Sequence, residues 1–335
     1  DMRIAVLIDM PRYDLLLNEE GFREDEQKKK TAKSLQEVIS KHYECVILEA
    51  DDTLPIRLSE EKIDFVFNLC NGINGESKLS QIPAFLEFKG IPYTGSSVLG
   101  HALASNKIYT CKIIKSLGIN TPDFIYVYNP NQLDRHDVNF PVIVKPCDEG
   151  SSRGIYQDSL VYEMESLKAK VEENLKLYNP PIMVTEFIDG REFHVGLLGN
   201  RDDLSLLPIE EICLDNLPDS MTRFYSFEVK AYHKDKTTYI CPAPIGEELT
   251  AKITNIAIRT FKALSLRDYA RLDLRIKDGI PYILEINSLP GLMKGFSALT
   301  RMADACELGY DGLVMEILES AFRRYQIITQ LYSHL

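Results

Sequence analysis

The sequence predicts an α/β protein: an open parallel sheet with helices on both faces at the amino terminus, followed by mixed α and β lobes. Three observations carry this. Strand-length apolar runs alternate with helical spacing through residues 1 to about 100, a second strand–loop–helix unit follows, and a late stretch alternates polar and apolar residues on both sides of a tight turn.

RIAVLI (3–8), CVILEA (45–50) and DFVFNL (64–69) read as buried strands, and residues 24–40 carry helical spacing at Leu35, Val38 and Ile39. Strand, helix, strand, short helix, strand is the rhythm of a parallel sheet covered on both sides. The third strand runs into CNGINGES (70–77), and ligands of such sheets lie beyond the carboxyl ends of strands. Gly72 and Gly75 permit close backbone approach, and Glu76 and Gln81 are placed to orient a substrate or a neighbouring loop. A plain turn capping the next helix is an equally good reading of these residues. A helical stretch containing Asn106 and Lys107 follows IPYTGSS (91–97), and Gly118 and Pro122 end it.

FPVIVKP (140–146) is a strand that delivers Lys145 to the Gly/Ser-rich loop DEGSSRGI (148–155). Backbone N–H groups and the hydroxyls of Ser151 and Ser152 can wrap an anion there. A loop of this kind is more often a simple connection, but Lys145 and Arg153 shift the balance towards phosphate. The lysine precedes the loop, so this is not the usual P-loop. After a helix at 163–177 comes a strand, a turn and a second strand at 181–200. Main-chain groups from Thr185 through Glu186 and Phe187 to Ile188 suit an adenine edge, and Glu192 is placed to accept from a ribose hydroxyl. Residues 224–239 mix Lys230, His233, Lys234 and Lys236 with acids and tyrosines and read as an exposed loop that closes over an anion. A helix at 247–265 leads to the hairpin, and an amphipathic helix with Leu313, Ile317 and Phe322 on its core side closes the chain.

The hairpin, 269–291, holds the densest chemistry. Arg271, Asp273 and Arg275 alternate with Leu272, Leu274 and Ile276, and Ile283, Glu285 and Asn287 share a face on the returning strand. A two-residue turn at Asp278-Gly279 would set Asp273 opposite Leu284. A three-residue loop ending at Ile280 sets it opposite Glu285, with Arg271 opposite Asn287, and this second register is the one expected. It gathers two carboxylates and an amide oxygen, hard donors suited to magnesium completed by nucleotide phosphates.

Composition bounds the function. At 335 residues the chain can hold two or three domains, and a net charge of −12 argues against nucleic acid or an anionic membrane as the main partner. The 7 cysteines are scattered, with no CxxC pair, which indicates neither a disulfide framework nor a zinc site. No apolar run approaches the roughly 18 residues of a membrane span and no signal-peptide pattern precedes the first strand, so a cytoplasmic location is expected.

In order, VKPCDEGSSRGI, TEFIDGREF, FEVKAYH, ARLDLR and LEINSLPG resemble the ATP-grasp superfamily and, within it, the D-alanine–D-alanine ligases. FNLCNGINGES, KGIPYTGSS and SNKIYTCKIIKSLGINTP extend the resemblance to nearly the whole chain. It implies an amino-terminal domain at 1–100, a central lobe at 101–187 and a carboxy-terminal lobe at 188–335. It also implies an ATP-dependent carboxylate–amine ligase that forms a peptide bond through an acyl phosphate. The cofactors implied are ATP and two magnesium ions, with manganese able to replace them; the partners are amino-acid or peptide substrates and a second copy of the chain.

Carried over by motif, Asp273, Glu285 and Asn287 hold metal; Lys107, Lys145, Ser151, Ser152, Glu186, Phe187, Ile188 and Glu192 bind the nucleotide. Arg271, Gly291, Lys230 and Ser151 are the catalytic positions, and Glu76 and Ser297 meet substrate. The chain departs from the family where IDMPRYDLLLNEE lacks the usual amine-binding loop, at Asn71 in place of histidine, at Ala231 in place of tyrosine with Tyr232 next, at Thr185 in place of an acid, and at Ser297, one residue late. The alternatives are a ligase for other amino acids or small peptides, and a non-catalytic ATP-binding regulator.

Overall fold

Alternation along the first strand sets the amino-terminal layers. In the computed structural model, which describes residues 2–11, 19–150, 152 and 154–326, β1 (Arg3–Asp9) sends Ile4, Val6 and Ile8 to one face and Ala5 and Leu7 to the other. α1 (Glu19–Ile39) covers the first face through Leu35, Val38 and Ile39. β2 (Glu44–Ala50) pairs parallel with one edge of β1, and α2 (Leu54–Glu60) packs Leu54 and Leu58 on the second face. β3 (Phe65–Asn68) pairs parallel with the other edge, giving the expected three-stranded sheet in the order β2-β1-β3. α3 (Gln81–Lys89) completes the second face and ends at Gly90, whose φ of 70° suits a left-handed cap.

The expected helix through Asn106 is two helices, α4 (Val98–Ser105) and α5 (Lys107–Ser116). Asn106 breaks it because its extended backbone leaves the side chain free to cap α5, accepting from the N–H groups of Ile108 and Tyr109 at 3.1 and 3.3 Å. β4 (Phe124–Val127), β5 (Val142–Pro146), β6 (Leu160–Val161), α6 (Met164–Leu177) and β7 (Ile182–Glu186) follow, the strands forming an antiparallel sheet in the order β4-β7-β5-β6. α6 buries Leu167 and Val171 on it.

β8 (Arg191–Leu198) belongs to a different sheet, so the turn at 187–190 joins two sheets and is not a hairpin. This six-stranded antiparallel sheet adds β9 (Ser205–Leu206), β10 (Glu210–Cys213), β11 (Thr238–Ile240), β12 (Tyr269–Lys277) and β13 (Ile280–Asn287), in the order β11-β10-β8-β12-β13 with β9 on β8. Between β10 and β11 the expected exposed loop is in part structured. It contains α7 (Phe227–Tyr232), with Phe224, Ser226 and Val229 buried, because it docks on residues 155–157: Phe227 N–H donates to Ile155 O at 2.8 Å and Gln157 N–H to Glu228 at 3.1 Å.

One face of the six-stranded sheet is core. Phe193, Val195, Leu272, Leu274, Ile283 and Ile286 pack under α8 (Glu247–Ala263), and period-two alternation leaves the other face polar. α9 (Ala298–Asp304) and α10 (Gly309–Tyr325) end the described chain, and α10 packs Leu313, Ile317 and Phe322 with the β1 face that α1 covers. Among the described residues no helix is long and apolar enough to cross a membrane.

Candidate active site

The polar face of β8, β12 and β13 opens into a cleft of about 280 Å³ that runs to the antiparallel sheet of β4–β7. The expected pairing is present: Asp273 lies opposite Glu285 and Arg271 opposite Asn287. Its cause differs from the expected one. The turn is the two-residue Asp278-Gly279, both left-handed at φ 52° and 73°, with Lys277 opposite Ile280. Pairing continues regularly to Leu274 opposite Ile283, and the register then shifts, so Leu284 is an extra residue in a β-bulge. The bulge undoes the shared face expected for Ile283 and Glu285. Ile283 is in the core, whereas Leu284 and Glu285 both line the cleft.

Arg271 holds Asp273 with two parallel bonds, Nε to Oδ1 at 2.7 Å and Nη2 to Oδ2 at 2.8 Å. The Asn287 amide reaches both carboxylates at 3.4 Å. Lys107 Nζ is 3.5 Å from Glu285 Oε2 and also donates to the Glu149 carbonyl. Burial would raise the Glu285 carboxyl, but Lys107, Arg271 and Lys145 outweigh it and hold the pKa down at about 2. Burial pushes Asp273 upward against the pull of Arg271 and His194. Burial also lowers the Lys145 ammonium, helped by repulsion from Lys107. Two cations and an arginine thus surround a carboxylate that stays ionised.

This donor set fits magnesium. Asp273, Glu285 and Asn287 offer oxygens of the hard type, and among the described residues no group of three or more His, Cys, Asp or Glu side chains is placed to hold a metal by itself. A partial set is what magnesium uses when phosphates and water complete its octahedron.

Lys145, Ser152, Glu186, Phe187, Ile188, Glu192, Lys230, Gly291 and Ser297 all line the same cleft. Ile143, Phe187, Ile188, Phe224 and Leu284 give it an apolar slot. The N–H groups of Glu186 and Phe187 donate to the carbonyls of Asp123 and Pro141, so these two donors of the expected edge reader are already paired. Glu192 is buried and pairs with Arg275 at 2.8 Å. Lys107 and Glu76 line an adjoining hollow of about 120 Å³ that shares Glu149, Glu285 and Asn287 with the cleft. Asp9, at the end of β1, anchors the loop of Glu76 by accepting from the N–H groups of Asn71 and Gly72 at 2.8 and 3.0 Å. Ser151 and Arg153, like residues 12–18 of the altered amino-terminal loop, lie outside the described residues.

Ser297 accepts from its own loop, at the Met293 N–H, 3.0 Å away, and a Cβ on Gly291 would come within 2.8 Å of its Oγ. Tyr232 is 60% exposed and does not line the cleft; Tyr225 and Tyr239 do, with their hydroxyls 2.9 Å apart. Sequence reading also missed a polar column beside Asp273, in which His194, Tyr239 and Arg301 line the cleft around a fully buried Glu210. Glu210 accepts from His194 Nδ1 at 2.8 Å and from Arg301 at 2.6 and 2.8 Å, and Arg301 lies 3.7 Å from the Tyr239 ring centre. The available signal was an acid inside the apolar run LLPIEEI.

Residues 113–319 match the family model described as D-ala D-ala ligase C-terminus. The chain is 35% identical to a D-alanine–D-alanine ligase of Carboxydothermus hydrogenoformans, over 84% of this chain and 88% of that one. It is 39% identical to the uncharacterized protein y4sG of Sinorhizobium fredii, over 78% of this chain and 75% of the relative. Among solved structures, the D-alanine–D-alanine ligase from Bacillus anthracis complexed with ATP superposes with a TM-score of 0.75 at 26% identity, covering 97% of this chain and 99% of that one. Family model, relatives and fold agree, and the chain belongs to the D-alanine–D-alanine ligase family of ATP-grasp proteins.

Proposed function

We propose that the protein is an ATP-dependent ligase that joins a carboxylate to an amine through an acyl phosphate, with D-alanine as the leading substrate for both. The observation that carries this is the Asp273, Glu285 and Asn287 set beside Arg271 in a cleft with Lys145 and an apolar slot, with Lys107 reaching Glu285 from the adjoining hollow. Carboxylate and γ-phosphate are both anions, and their approach needs this concentration of positive charge. Magnesium held by Asp273, Glu285 and Asn287 would neutralise phosphate charge and align the phosphates. In this reading Lys107, Lys145 and Ser152 bind phosphate, Ser151 belongs to the covering loop, and Glu192 and the Ile188 N–H read ribose and base. Arg271 and the Gly291 N–H face the oxygen on which charge develops, and Lys230 closes the site from 224–239. Glu76 orients the first substrate. Closure matters because water would hydrolyse an acyl phosphate. We further propose a division at 1–100, 101–187 and 188–335, and a dimer through the amino-terminal domain.

The test is ADP release with magnesium and ATP, with and without D-alanine, followed by product mass across a panel of amino acids and dipeptides. Release that needs D-alanine and gives a dipeptide supports the reading. Turnover only with another pair keeps the ligase and replaces the substrate, an outcome to which the altered acceptor side, with Ser297 bonded to its own loop and Tyr232 outside the cleft, gives weight. Asp273→Asn and Arg271→Ala are each expected to lower turnover by about 10²-fold or more. Near-normal rates in both variants would remove the site assignment.

A further inference from the structure

Arg275 lies on the cleft face of β12, two positions beyond Asp273, and is 3% exposed. Its guanidinium binds protein on three sides. Nε and Nη2 donate to Glu192 Oε2 at 3.1 and 2.8 Å, Nη1 donates to the Ile188 carbonyl at 2.8 Å, and Nη2 also donates to the Arg223 carbonyl at 2.7 Å. The group sits 5.1 Å from the centre of the Phe187 ring, and that ring meets Phe224 edge-on at 6.0 Å. The start of β8, the connection between the two sheets and the residue ahead of the 224–239 segment therefore converge on one side chain.

A guanidinium is a rigid planar fork, so bonds at fixed angles hold their acceptors in fixed relation to one another. We infer that Arg275 is a positioning residue that couples docking of the 224–239 segment to nucleoside recognition. By holding Oε2 of Glu192 it turns Oε1 to an incoming hydroxyl, and by holding the Ile188 carbonyl it fixes that residue on the far side of its Cα from the N–H that meets the base. The same bonds fix Arg223, so an ordered segment and a formed nucleoside end are one arrangement. The inference rests on the nucleotide reading given above.

The test uses the full chain with Arg275→Met and Arg275→Lys, the second keeping charge while losing the fork. ADP release is measured with ATP, 2′-deoxyATP and 3′-deoxyATP, together with trypsin cleavage at Lys230, Lys234 and Lys236 with and without ATP. The wild type is expected to prefer ATP over at least one deoxy analogue and to be protected by ATP. In both variants KM for ATP rises about tenfold or more, as loss of a charged hydrogen bond implies, kcat changes less, the preference collapses and protection is lost. A general loss of stability would not level the three nucleotides. Unchanged preference and protection in Arg275→Lys overturns the inference even if Arg275→Met fails to fold. A wild type indifferent to the ribose hydroxyls overturns it too. A wild type that does not bind ATP overturns the nucleotide reading itself, and this inference with it.

Discussion

Glu210 carries its charge where no water reaches it, 0% exposed, and so depends on Arg301 and His194. Burial pushes its carboxyl up, but the bonds from Arg301 and His194 outweigh that and set it below its ordinary value. A depressed pKa contributes stability above the unfolded carboxylate value, about 4.3, that is lost as pH falls through the folded one. Urea midpoints should therefore drop on acidification below about pH 4, and Glu210→Gln should show a shallower drop. At neutral pH that variant should be less stable by about 3–5 kcal/mol, because Arg301 is left with half a partner. An unaltered acid profile would show that Glu210 is not ionised in the folded protein. Asp273 and Glu285 were legible because each lies in a short alternating run. Glu210 and Arg275 were not, since the partners that make them significant come from remote segments, 91 residues away for Arg301 and 83 for Glu192.

The hairpin shows how an element can be read correctly for the wrong reason. Counting by twos from Ile283 to Asn287 gives an unbroken strand, and a longer turn is then needed to align the carboxylates. The chain instead uses the tightest turn and inserts Leu284 as a bulge. The signal was present in Ile283-Leu284, two apolar residues together just before Glu285, but only the packed core shows which of them is the extra one. Deleting Leu284 should make the strand regular and keep Asp273 opposite Glu285, because the pairs on the turn side already have the two-residue register. Magnesium-dependent ADP release should survive with KM for ATP raised severalfold, since Leu284 lines the apolar slot but is only half-buried, and the loss of about 1 kcal/mol of contact is a factor of about five. Complete loss of activity in a folded deletion variant would mean that the bulge itself shapes the proposed metal site.

Across the whole molecule, the last helix closes the first sheet. Phe322 of α10 meets Phe65 of β3 edge-on at 4.8 Å and Tyr43 at 5.7 Å, and Leu313, Ile317 and Leu318 join the same core as Ile4 and Val6. Asp268 ties the same parts by polar bonds. It is fully buried and accepts from Gly95 N–H at 2.7 Å, from Asn200 at 2.8 Å and from Arg324 at 3.1 and 2.8 Å, while Arg324 also reaches the Tyr93 carbonyl at 2.9 Å. The amphipathic pattern of α10 was visible in the sequence, but its partner was not, because periodicity names a buried face without naming what covers it. Two ways of unfolding are then distinguishable. If the amino-terminal sheet were an independent unit, Asp268→Ala would loosen a joint and give two separated thermal transitions, the earlier one from the carboxy-terminal half. With the core shared through α10, the expected result is a single transition at lower temperature, with a loss of about 3–5 kcal/mol for a buried charge network left without its acceptor. Removing residues 309–335 should go further. Several large apolar side chains at about 1.5–3 kcal/mol each match the whole of the about 5–15 kcal/mol that holds a domain folded, so the truncated chain should lose the amino-terminal sheet although none of that sheet's own residues has changed. Differential scanning calorimetry of Asp268→Ala, with near-ultraviolet circular dichroism of the truncated chain, decides the matter: two resolved peaks, or a native-like spectrum after truncation, would show that the halves fold apart.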